Sequence, residues 1–438
     1  MSTIAGSWMK RAVGAASIVV AGVFVDAIAL PARDSSNDAL TFVGPTCIAP
    51  TKGSFPTVGV DPMTGELLVA WSRAVTDSTY DTMLTVVTAD GRTKTALRAN
   101  TVEGQAVASK EFPPQLVVGA GGVACILWIR SRPLRERDTP ELTLCVSRLD
   151  GARSVVLPAS IVHVPPKGTH AADLYSDIAI GSDGTLFVTW LDLIEFANST
   201  LRQPHSHAAH EATRKTDDRS DYSSLWLARS RDGGSAFEAP LQLDAWACTC
   251  CRTAVATGAN GVVRVMWRHV FPGNVRDPVV GTSRDGGKTF AKPSRVYADQ
   301  WVLAGCPDIG PDIAIANGDR VRVGWFSGSS SHEGLFYSGS RDGGATFTAP
   351  LRLSSEPTFP SQIKLAAGGA DVWAVWEVPA ADGAQLRIGR DRADGGLKVV
   401  GPEGLTGQCP AIATDGRRVA VVWEQGGAIY AMVARLPG

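Results

Sequence analysis

Residues 246–255 read WACTCCRTAV, so Cys248, Cys250 and Cys251 fall within four positions of a 438-residue chain that has 8 cysteines. Three chemistries compete for this cluster. Thiolates spaced Cys-x-Cys and Cys-x-x-Cys can surround a soft ion, and soft thiolates select Cu(I) or zinc. A tetrahedral zinc site would take its further ligand from Cys306, in GCPDIGPD, or from His170. A disulfide between one of the triple and Cys306 is the second possibility, since bridging Cys250 to Cys251 would strain the peptide between them. The third is thiol–disulfide exchange by Cys248-x-x-Cys251. That motif normally opens a helix whose N-terminus lowers the thiol pKa. Here it opens a strand-like run, so exchange ranks below metal binding.

The other chemistry-bearing residues follow the same distribution. Cys409 (GQCPAIA) and Cys47 (GPTCIAP) stand before further strand-like runs and are expected to form a disulfide, while Cys125 and Cys145 are buried thiols or a pair without an assigned role. All seven histidines lie in connections: His163 and His170, then His205, His207 and His210 in HSHAAHE, then His269 and His332. The His-x-His-x-x-His stretch reads as a solvated loop before it reads as a ligand set.

The elements that position these residues repeat along the chain. A short apolar run, a Gly or Asp turn and an alternating run ending in Trp recur seven times, closing at Trp71, Trp128, Trp190, Trp267, Trp325, Trp376 and Trp423. Alternation of period two with turn residues between the runs predicts a β-hairpin for each copy. Repetition of hairpins at this scale implies a radial array of four-stranded units. Labelled A to D from the axis outward, the Trp pattern supplies strands A and B. The second half of each unit carries SRDGGSAF (230–237), SRDGGKTF (283–290) and SRDGGATF (340–347), with worn copies at 88–93, 147–152 and 392–397. The last unit lacks a D strand, and residues 39–45 form a strand without a hairpin partner. An N-terminal strand that completes the last unit would close the ring and leave no open edge. The expected fold is therefore an all-β, seven-bladed β-propeller, with six blades as the alternative. In such a ring the D-to-A and B-to-C connections share one face, which collects the histidines and six of the eight cysteines.

The three SRDGG copies resemble the Asp-box, or BNR repeat, of sialidase-like β-propellers. The resemblance implies that Asp232, Asp285 and Asp342 bond backbone amides of a tight turn above a packed aromatic ring. It also raises the question of sialidase activity, which needs three arginines at A-strand entrances to hold a carboxylate. The entrances SFPTVGV, FPPQL, HAADLYSD, CPDIGPD, FPSQIK and CPAIA contain none, and Arg252 alone qualifies. The expectation is accordingly a protein without that catalysis, a sialidase-like glycoside hydrolase or a disulfide-stabilised interaction scaffold being the alternatives. The recurring tryptophans read as core packing, and a glycan partner is unsupported. The Cys-x-Cys-Cys entrance together with a second GCP entrance is similar to an exported bacterial subgroup of BNR propellers. That resemblance implies copper handling, for storage or transfer to an envelope partner. It rests on the few residues of those two entrances, and Asp308 stands where the subgroup often has His.

Composition sets the context. Lys and Arg number 42 against 43 Asp and Glu, a net charge of -1, which gives no electrostatic reason to expect nucleic acid as a partner. Lys10 and Arg11 precede AVGAASIVVAGVFV and then small residues at Ala27, Ala29 and Ala32, the order of a secretory signal. Residues 1–32 are read as that signal and 33–438 as one propeller domain, placed in the periplasm or secreted, with no membrane insertion after cleavage. Export makes disulfides possible. A mixed Cys/His face on an exported chain favours Cu(I) over zinc. The metal ligands proposed from sequence are thus Cys248, Cys250, Cys251, Cys306 and His170.

Overall fold

The computed structural model describes residues 40–134, 140–165, 171–193, 222–303, 308–354, 362–380, 383–393 and 396–437. His170, Cys306 and the His205–His210 stretch lie outside them. Among the described residues every regular element is a β-strand except three short 3₁₀ turns. No helix of the described residues is long and apolar enough to cross a membrane.

The strands form antiparallel meanders in chain order. The first runs Gly53–Val60, Leu67–Ala74, Tyr80–Val87 and Leu97–Arg98, which serve as strands A, B, C and D. The same pattern follows in Gln115–Val118 to Ser160–Ile161 and in Asp173–Ile180 to Leu241–Cys248. It continues in Ala254–Thr257 to Ser294–Arg295, Asp312–Ala316 to Leu351–Arg352, and Ile363–Gly368 to Gly396–Val399. The last meander, Gln408–Thr414, Arg418–Gln425 and Ala428–Arg435, takes its fourth strand from Phe42–Ala49. That strand is antiparallel to Ala428–Arg435, with Phe42 opposite Ala434 and Cys47 opposite Tyr430. Successive A strands are neighbours in space, and Gly53–Val60 packs against Gln408–Thr414.

Each core is shared by two units, because a sheet with apolar side chains on both faces must bury both. One cluster joins Val69 and Trp71 of the first unit to Ala420 and Val422 of the last; others join Leu144 to Val188 and Val323 to Met266. Trp190, Trp325, Trp373, Trp376 and Trp423 are each no more than 1% exposed, so the repeated Trp is core packing.

The three SRDGG turns have the geometry their residues suggest. Asp232 Oδ1 accepts the Ser235 and Ala236 amides at 2.9 and 3.0 Å, and Asp285 and Asp342 do the same in their own turns. Two consecutive left-handed residues follow each Asp, which is why Gly-Gly is needed. Phe237, Phe290 and Phe347 pack on the cores. Asp150, in a worn copy, still accepts two amides, from Ser154 and Val155.

The structure separates the cysteine pairs expected from sequence. Cys47 and Cys409 are free thiols. Cys47 is on the outermost strand of the last sheet and Cys409 on the innermost. Three inter-strand intervals separate them, about 14 Å, against the roughly 7 Å Cα separation a disulfide tolerates. Cys125 and Cys145 are also free. They lie on adjacent strands but on opposite faces, one in the core with Leu144, the other in the core with Leu84. They are therefore buried thiols and not a pair.

Candidate functional site

In most units strand D is two to four residues long, but Leu241–Cys248 has eight. The extra length carries it beyond its own sheet: Ala247 pairs with His269 of the next unit's B strand. Cys248 thereby arrives at the seam between the third and fourth units. A tight turn follows, closed by the Cys251 amide on the Cys248 carbonyl at 3.4 Å, and leads to Arg252 and the strand Ala254–Thr257. Cys248, Cys250 and Cys251 converge there with their sulfurs within 4.8 Å of one another. Each is at most 2% exposed, packed with Val270 and Tyr175.

The three sulfurs are not equivalent. Cys248 and Cys251 are free thiols, and Cys250 is disulfide-bonded, so in this form it offers no thiolate. The Cys251 thiol donates to Cys248 Sγ at 3.5 Å, and Arg276 Nη1 donates to the same sulfur at 3.2 Å. The hydrogen bond from Cys251 is the largest influence on Cys248. With the charges of Arg276 and Arg268 it outweighs burial and holds Cys248 well below the ordinary thiol range. Cys251 moves the other way, because burial and its bond to the Cys248 thiolate both keep its proton on.

The two arginines escaped the sequence reading. Arg268 and Arg276 are at most 1% exposed, on strands B and C of the fourth unit. Arg268 donates to the carbonyls of Arg276 and Phe326 and lies over the Trp301 ring. A signal was present: in VRVMWRHVF, Arg268 shares the strand phase of Met266 and Val270, both fully buried. A charge on the apolar phase of a strand needs a partner.

The described histidines are held by carboxylates and not by the cysteines. His269 Nδ1 is 2.6 Å from Asp244 Oδ2, which also accepts Trp267 Nε1. Asp299 holds His332 and Trp325 in the same way, and His163 lies 3.5 Å from Asp173.

The residue after the thiols, Arg252, makes contacts with other units. Arg252, 3% exposed, donates through Nη1 to the Lys110 carbonyl at 3.1 Å and through Nη2 to Gln362 Oε1 at 3.5 Å. Carboxylates stitch units to the A strand of the next: Asp177 and Asp312, on A strands, accept the Val255 and Leu365 amides, and Glu377 and Glu424, on B strands, accept those of Cys409 and Phe55. Burial raises the Asp177 carboxyl to about 6. Phe55, Tyr175 and Cys409 hold left-handed φ of 54°, 55° and 51° at the bulges that open their strands. Strained non-glycine residues of this kind gather where side chains are aimed at a site.

No protein-family model matches the chain, and no curated protein matches it. Among solved structures it is similar to the Hadza microbial sialidase Hz136, with a TM-score of 0.50 and 13% identity over 93% of this chain and 98% of that one. It is also similar to polysaccharide lyase Uly1, with a TM-score of 0.53 and 12% identity over 92% of this chain and 93% of that one. At these identities the likeness concerns the fold, which is all-β and propeller-like. The site adds a buried cysteine cluster whose geometry is compatible with a metal ion.

Proposed function

We propose that the chain is an exported, closed seven-bladed β-propeller that binds Cu(I) through Cys248 and Cys251, for storage or delivery to an envelope partner. The supporting observation is the pair of free, buried sulfurs 3.5 Å apart with a guanidinium at 3.2 Å from one of them. Two thiolates and a monovalent ion carry one net negative charge, which Arg276 and Arg268 offset. Zinc fits less well, since a structural zinc takes four ligands and Cys250 is already bonded. Burial favours a small ion over a protein disulfide as the thiols' reaction partner.

The test is anaerobic titration with Cu(I) against a chelating probe, with ascorbate keeping the ion cuprous and disulfides intact. One ion should bind the parent, and Cys248→Ser or Cys251→Ser should abolish tight binding. Equal affinity in the parent and the double variant would end the metal reading. A second reading, a carbohydrate-active enzyme, draws on the fold shared with the sialidase and the lyase. It has less support at the site, where Arg252 gives both its Nη groups to a carbonyl and an amide oxygen and keeps only Nε. Sialoside or polysaccharide turnover that disappears in Arg252→Ala would establish it in place of the first.

A further inference from the structure

At the mouth of the axis a cavity of about 20 Å³ is lined by Lys110, Gln115, Arg252, Gln362 and Lys364, among others. That volume holds one water-sized occupant. Two of the lining side chains have polar atoms with no hydrogen-bond partner among the described residues: Arg252 Nε and Gln115 Nε2, in residues 3% and 7% exposed. Lys364 reaches Asp312 only at 3.9 Å. Several acceptors close by are engaged. Gln362 Oε1 takes Arg252 Nη2, and the Lys110 carbonyl takes Arg252 Nη1 and Gln362 Nε2. Glu377 takes the amides of Gln362 and Cys409, and Asp312 those of Ile313 and Leu365. Among the described residues no carboxylate is within ion-pair distance of the Arg252 guanidinium.

The lining thus carries three cationic side chains, Lys110, Arg252 and Lys364, and no carboxylate. A water would have to donate two protons there, whereas an anion accepts from every side. We propose that this cavity is a binding site for a halide-sized inorganic anion, held by Arg252, Gln115 and Lys364. Gln115 and Lys364 are on the A strands of the second and sixth units and Arg252 is in the connection into the fourth, so the ion would tie three units together at the hub. The proposal is independent of the thiol site.

The experiment compares thermal unfolding of the purified protein in chloride, bromide and gluconate at one ionic strength, and locates bromide by anomalous diffraction from soaked crystals. Chloride and bromide should raise the melting temperature saturably, gluconate should not, and bromide density should lie in the cavity. Gln115→Leu should weaken the halide effect about tenfold, the loss expected for one hydrogen bond to a charged group. Equal melting in the three salts, or crystals with no bromide density in the cavity, would overturn the proposal and assign the space to water. The diffraction result stands on the parent protein alone, whatever the stability of the variant.

Discussion

At the residue scale, the informative contrast is between Cys248 and Cys251, adjacent sulfurs whose thiols are pushed in opposite directions. A hydrogen bond and two guanidinium charges push Cys248 down to about 6, toward the thiolate, while burial keeps the proton on Cys251. A thiolate-ligated ion must displace whatever protons remain. Cu(I) binding near pH 8 should therefore release one proton, supplied by Cys251. As pH falls through the lowered Cys248 value the count should rise toward two and the affinity should weaken more steeply. Titration calorimetry in buffers of different ionisation enthalpy reads the count directly. Release of two protons at pH 8 would mean that Arg276 does not hold Cys248 as a thiolate.

At the scale of the element, the outer strand of one unit is bonded to the inner hairpin of the next. Asp244, on the long D strand of the third unit, accepts from Trp267 and bonds His269 of the fourth. Asp299 repeats the arrangement with Trp325 and His332 one unit on. Asp244→Asn keeps the shape but places an amide where two donors converge. We expect a loss of about 2 kcal/mol, in the range for a broken charge-assisted hydrogen bond. Chemical denaturation measures it, and an unchanged midpoint would show that the seam is held by the apolar core alone. A second close approach lies nearby. A Cβ on Gly310 would meet the backbone of Arg252 at 2.5 Å, so the fifth unit's entrance seats against the fourth only with glycine there.

At the scale of the whole molecule, Phe42–Ala49 is the strand that gives the last sheet its fourth member. Deleting residues 40–49 should expose the edge of Ala428–Arg435 and uncover Ile429 and Ala431, which belong to the core shared with the first unit. We expect a lower melting temperature for the entire domain and a tendency to associate through the free edge. Light scattering with thermal unfolding checks both. Unchanged melting would show that the strand is peripheral.

The repeating hairpins, their Trp-rich shared cores, the Asp turns and the N-terminal strand's place were all legible in the chain. Each depends on local periodicity, on turn chemistry or on counting strands, which sequence records directly. The cysteine cluster was legible as a cluster, since three thiols in four residues must stay close however the chain folds. Its chemistry was not. Arg276 is 28 residues beyond Cys248 and reaches its sulfur only because the long D strand crosses into the next sheet. Cys47 and Cys409 look like neighbours in the order of units, yet occupy the outer and inner edges of one sheet. Order along the chain determines which unit a residue belongs to, and that much the sequence decided by itself. Distance from the axis, burial and the charges facing a sulfur are set by strands from other units, so only the tertiary structure decided which thiols are free, which sulfur is pushed toward the thiolate and which donors are left without a partner among the described residues.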